Sequence, residues 1–266
     1  MSSGSGSLTV RRQSRILAVA VVVFACTGDD LPVELEHGLA PPFSGTIFID
    51  ANIITSDDPS ALEGLSYAGR GMRTMFDRRV NSSIMVDAYL FDASFDDGLA
   101  VEIQVNPEFG TSAEALEQAT TYAAVIGRLP TALRASVQTV WIHKGTQPFG
   151  GGNNNLLIHV GQADLYVANG ILEETLVHEA AHTSLDARHA TAPGWIAAQT
   201  ADNWFISTYA RGNPVREDIA ESFLPYLALR YRSDRISQAL AEIISKTIPN
   251  RIKYFDDQNF DMYPIQ

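Results

Sequence analysis

His178-Glu179-Ala180-Ala181-His182 is the stretch whose residue types and spacing can do chemistry. Two histidines four apart on a helix lie on one face, about one turn from each other, so both imidazoles can hold a single divalent ion. Glu179 stands one position round from the first histidine. From there its carboxylate can reach a water beside the ion without binding the ion itself, as a general base must. With 6 histidines and 13 glutamates in 266 residues, a shuffled chain would carry this motif about 0.007 times, which sets chance aside. The plain alternative is a helix with two surface histidines. Residues 171–189 read ILEETLVHEAAHTSLDARH, in which Leu172, Leu176, Val177, Ala180 and Ala181 recur at helical spacing after Gly170. That pattern predicts an amphipathic helix over 171–185.

Two histidines leave a zinc site incomplete, since catalytic sites use three protein ligands and keep a position for water. The chain offers two further donors. His189 lies seven residues after His182, whereas the metzincin pattern needs a histidine at six and a turning glycine at three, where Leu185 stands. The second donor is in residues 207–224, STYARGNPVREDIAESFL, where Glu217 and Glu221 are four apart on a predicted helix. Their plain reading is a solvated acidic face flanked by Arg216 and Arg230.

Tyr209-Ala-Arg-Gly-Asn213 followed by Glu217-Asp-Ile-Ala-Glu221-Ser-Phe223, downstream of H-E-x-x-H, resembles the catalytic domain of anthrax lethal factor and related gluzincins. The match spans about residues 171–224, so the front half of the chain lies outside it. The Tyr-to-Glu spacing is one residue longer than in that family, with Pro214 in the insertion. The resemblance implies Zn2+ as cofactor, with His178, His182 and Glu217 as its ligands. It implies that Glu221 accepts the other N–H of a ligating histidine, that Tyr209 donates its phenol to an oxyanion, and that Asp186 matches an acidic position of the family. The activity implied is that of a zinc metallopeptidase acting on a peptide or protein substrate, with Glu179 passing a proton from water to the leaving amine. Two other uses of such a site stand beside it: a zinc-containing cell-surface binding protein without turnover, and a zinc amidase of cell-wall amides. Glu179 speaks against the first, because a purely structural site has no use for a base.

The elements that must position these residues are partly visible. Thr111-Ser112-Ala113-Glu114 is a capping box, starting a helix that should end at Gly127. Val101, Ile103 and Val105 alternate with polar residues, and Asp97-Gly98 signals a hairpin, so 84–95 and 99–106 should pair antiparallel. Strands are predicted over 137–143 and 156–160, flanking GTQPFGGGNNN (145–155), a loop that lacks the lysine and helix of a phosphate loop. It reads as a cleft rim or hairpin loop. His143 and His159 read as half-buried strand histidines, and Trp195 and Trp204 as packing residues. From Thr46 to about Asn106 the pattern is mostly strand; within it residues 59–80, rich in arginine, leave both a strand and a solvated face open. Further helices are predicted over 195–202, 216–231 and 235–246, with Pro225 either kinking the second of these or marking the start of a new turn. Strands first and helices later predict an α+β fold: one domain over 45–266, with a strand-rich N-terminal half packed on a helical, zincin-like C-terminal half.

Residues 1–25 carry three arginines and no acid, then the apolar run Ile16–Ala25, too short to span a bilayer. This is the pattern of a secretory signal, so an exported protein is expected. Cys26, the only cysteine, follows Val-Phe-Ala and resembles a bacterial lipobox. Two outcomes stand: simple secretion, or membrane attachment through a lipidated Cys26. Residues 26–44, which include His37, read as a tether. A single cysteine excludes an internal disulfide, and a net charge of −12 argues against a nucleic-acid partner, which needs clustered positive charge.

Overall fold

The computed structural model describes residues 40–202 and 204–265. The expected signal (1–25), Cys26, His37 and most of the tether lie outside them. Six strands form one mixed sheet: β1 (Leu62–Asp77), β2 (Ser82–Phe95), β3 (Ala100–Val105), β4 (Thr139–His143), β5 (Gly150–Gly152) and β6 (Asn155–His159), in the order β1-β2-β3-β4-β6-β5. The first three are antiparallel, and β2 and β3 pair as their turn signal predicted, Tyr89 opposite Val105 through Ser94 opposite Ala100. β3, β4 and β6 are then mutually parallel, and β5 closes the edge antiparallel to β6. Among the described residues there are ten helices, making the fold α+β: α1 (Ser112–Gly127), α2 (Thr131–Arg134), α3 (Val160–Ala168), α4 (Leu172–Ser184), α5 (Asp186–His189), α6 (Pro193–Asp202), α7 (Thr208–Gly212), α8 (Asp218–Tyr231), α9 (Gln238–Thr247) and α10 (Pro249–Asp256). None of them is long and apolar enough to cross a membrane.

The strand period decides which face is buried. Val101, Ile103 and Val105 enter the main core, together with Ala119, Ala123 and Ile126 of α1 and Leu176, Val177, Ala180 and Ala181 of α4. Between them, Glu102 faces the other side and takes two hydrogen bonds from Arg73, at 2.7 and 2.8 Å. A small second cluster of Met75, Ala88 and Leu90, with Trp141 beside it, covers that side. The capping box of α1 is formed in both directions, Thr111 to Glu114 and back.

Residues 46–61 of the span read as mostly strand form no strand. The arginine-rich stretch 59–80 is mostly the 16-residue strand β1, in line with the strand pattern, and most of its residues stay exposed or half-buried. Its charges look unpaired in sequence only because their partners, Asp87 for Arg70 and Glu102 for Arg73, sit on neighbouring strands. Pro225 lies inside α8, so no new helix begins there. His143 and His159 are fully buried rather than half-buried, and their rings stack with centroids 5.4 Å apart.

The glycine-rich loop turned out to be the strand that adjoins α4. Asn153 (φ 50°) and Asn154 (φ 59°) make the two-residue turn between β5 and β6, and both need the left-handed backbone that asparagine tolerates. A Cβ on Gly151 would overlap the backbone carbonyl of Glu179. Only glycine lets the sheet edge approach the H-E-x-x-H helix this closely.

Candidate metal centre

α4 carries both histidines on one face, as the four-residue spacing requires. Their Nε2 atoms stand 3.1 Å apart. The third group comes from 35 residues downstream: Glu217 Oε2 is 3.1 Å from His182 Nε2 and 3.5 Å from His178 Nε2. Glu217 is not within α8 but stands at the position just before its first residue, Asp218, with its side chain free of any capping bond. These three donors lie within 4.8 Å of one another and can hold a metal ion.

Each imidazole has a carboxylate on its other side. His182 Nδ1 is 2.7 Å from Asp186 Oδ2, and His178 Nδ1 is 3.4 Å from Glu221 Oε1. With both Nδ1 atoms carrying the proton, each Nε2 presents a lone pair, and both lone pairs meet the Glu217 carboxylate. Three acceptors converging on one point repel each other unless a cation sits among them, which fits the donor set to a metal. Two imidazoles and a carboxylate suit zinc and other first-row ions alike. Protons on the Nε2 atoms are the alternative to a cation there, and with them the imidazoles donate to Glu217 instead. Burial alone would depress the His182 pKa, but the carboxylates of Asp186 and Glu217 overcome it and push it up to about 10. Burial opposes ionisation of Glu217, yet hydrogen bonds from His178 and His182 hold its carboxyl well below the usual range.

Glu221 is fully buried, and burial pushes its pKa up, against hydrogen bonds that favour the charged form. Its Oε2 accepts the Ser207 hydroxyl and the Ile47 N–H, the latter at 3.0 Å. Ser207 also caps α7, accepting from Ala210 N–H, so one hydroxyl ties the start of that helix to Glu221. Tyr209, in the first turn of α7, donates its phenol to Glu217 Oε1 at 3.1 Å. Burial and the Glu217 charge raise its pKa, so the phenol keeps its proton. Glu179 does not join the three donors but lines the same cavity, of about 390 Å³, with Phe149, Gly151, Tyr166 and Tyr209.

His189, the other candidate donor, is not brought here. Its Nδ1 is 2.7 Å from the Tyr254 hydroxyl and its ring packs edge-on to Tyr254 and Phe260. Asp218, next to Glu217, points away and binds Arg251 at 2.8 Å.

The residues that sequence reasoning missed are those of the chain before β1. Thr46 and Phe48 line the cavity, and the intervening backbone is fastened by Glu221 and by Glu174, which accepts from Ile49 and Asp50 N–H at 2.8 and 2.9 Å. Loop residues without periodicity leave no local signal for such contacts. Ser207 did leave one, since a serine before a short helix reads as a cap. Comparisons of the chain with protein-family models, with curated proteins and with solved structures find no match.

Proposed function

We propose that this protein is an exported zinc metallopeptidase of the gluzincin type. The observation that carries the reading is the convergence of His178, His182 and Glu217 on one point while Glu179 faces the same cavity uncommitted. His178, His182 and Glu217 would hold the zinc ion, which would supply a Lewis acid able to polarise a carbonyl and to bring the pKa of water toward about 7. Glu179 then accepts the proton of the attacking water at its carboxylate and delivers it to the nitrogen of the departing amine. Tyr209 keeps its phenolic proton and sits beside Glu217, where it can donate to an oxygen that gains negative charge. Asp186 and Glu221 hold the two imidazoles with their Nε2 atoms inward. β5, at the sheet edge beside α4, offers an extended substrate a strand to pair with, a zincin-like arrangement. Export rests on the basic and apolar pattern of residues 1–25.

Glu179→Gln tests the reading. Hydrolysis of a mixed peptide library by the zinc-loaded chain should fall on the order of 10²–10⁴-fold, with bound metal unchanged. Retained hydrolysis would remove Glu179 from the reaction. Glu217→Ala should lower metal occupancy by more than His189→Ala, and the reverse ranking would move the third ligand to the histidine.

A further inference from the structure

We propose that Arg78 forms a carboxylate-binding subsite in the cavity, so that the favoured substrate carries a carboxylate near the bond to be cleaved. The substrate part of this rests on the peptidase reading; the subsite itself does not. Arg78 is the first residue of the turn that joins β1 to β2, and its neighbour Arg79 fastens that turn. Arg79 binds Asp77 at 2.7 Å and Glu108 at 2.6 Å, tying the hairpin tip to the segment that follows β3. The tip is thereby held beside the sheet edge, and Arg78 lines the same cavity as His178 and Glu179.

Among the described residues, the Arg78 guanidinium, on an exposed residue, has no carboxylate within ion-pairing distance and donates no hydrogen bond. The other arginine of the cavity wall, Arg216, is mostly exposed and turns its Nε to Glu217 Oε1 at 3.2 Å. Space for Arg78 is made by Gly150: a Cβ there would lie 2.8 Å from Arg78 Nη2, and its nearest neighbours would all be guanidinium atoms. A planar fork with its donors unspent, in a partly enclosed cavity with Phe149 and Tyr166, matches a carboxylate through two parallel hydrogen bonds. The carboxylate can belong to an acidic side chain or to a free C-terminus. The chain as a whole, at −12, repels acidic peptides, but at physiological salt that repulsion fades over about 8 Å. Selection of the anion is therefore local.

The full chain bearing Glu179→Gln and loaded with zinc is titrated with fluorescent blocked peptides in matched pairs. One set exchanges Asp for Asn at successive positions; the other exchanges a free C-terminus for its amide. At one placement the carboxylate member should bind about tenfold more tightly, and the set in which it appears identifies the source. Arg78→Gln should erase that preference, Arg78→Glu should invert it, and Gly150→Ala, which displaces the guanidinium, should weaken it. Binding that ignores the carboxylate in every pair, or a preference that survives Arg78→Gln or Gly150→Ala, would overturn the subsite. These are affinities and do not require turnover. A carboxylate preference in a chain that cleaves no peptide would leave the subsite standing and remove the peptidase reading. Cleavage without any preference would do the opposite.

Discussion

Asp186 accepts from His182 Nδ1 at 2.7 Å while remaining partly open to solvent, whereas Glu221 is sealed in and also holds Ser207 and Ile47. The two carboxylates therefore serve the two imidazoles under different constraints. Removing Glu221 strands a backbone N–H and a hydroxyl as well as a histidine, so its loss mixes folding with metal binding. Removing Asp186 frees only the orientation and basicity of His182. Asp186→Ala should thus weaken zinc binding about 10–100-fold with little change in unfolding. Competition with a chromophoric chelator measures this, and unchanged affinity would deny Asp186 its orienting part. The paired histidines of H-E-x-x-H were legible without the fold because their placement on one helix face depends on local spacing alone.

The described residues before β1, 40–61, form no named strand or helix, yet α4 and α8 fix their backbone through Glu174 and Glu221. Glu174 is 2% exposed. Burial drives its pKa up, against the Asp50 and Ile49 N–H donors, and the net result is a rise to about 7. The folded state then holds this proton more tightly than the unfolded chain, whose glutamate titrates near 4.5. Its contribution to stability is full below that value and is lost as pH rises through about 7. Wild type should lose about 3 kcal/mol against Glu174→Gln over that window. Urea unfolding of both at pH 5 and pH 8 reads the difference, and parallel behaviour would show that the group does not titrate there. Nothing in residues 46–50 announces this fastening, because its donors are backbone amides and its acceptors lie 124 and more residues away.

Across the molecule, the helices behind the metal centre are held by one buried charge. Arg251 on α10 is fully buried and donates to Asp202 of α6 at 3.1 Å, to Asp218 of α8 at 2.8 Å and to the Trp204 carbonyl at 2.7 Å. Asp218 immediately follows Glu217, so this network sets where α8 begins. Arg251→Met would leave two carboxylates without their cation and should destabilise the fold by about 3–5 kcal/mol. Adding Asp218→Asn should restore part of that loss in equilibrium unfolding; no restoration would mean that the ionic network is not what holds the helices.

The sequence by itself determined the elements whose signals are local. The α4 helix with its paired histidines, the capped α1, the β2–β3 hairpin and the alternation that buries Val101, Ile103 and Val105 all follow from neighbours within a few positions. Only the tertiary structure decided between Glu217 and His189, because periodicity reports which face of a helix is apolar and not which two faces meet. α8 packs against α4 and brings Glu217 to the imidazoles, while the aromatic ring cluster of Tyr254 and Phe260 takes His189 away. The same reason holds for β1 and for Arg78. A charge run cannot name its cross-strand partners, and an arginine in a turn becomes a cavity wall only when the hairpin folds back beside the sheet edge.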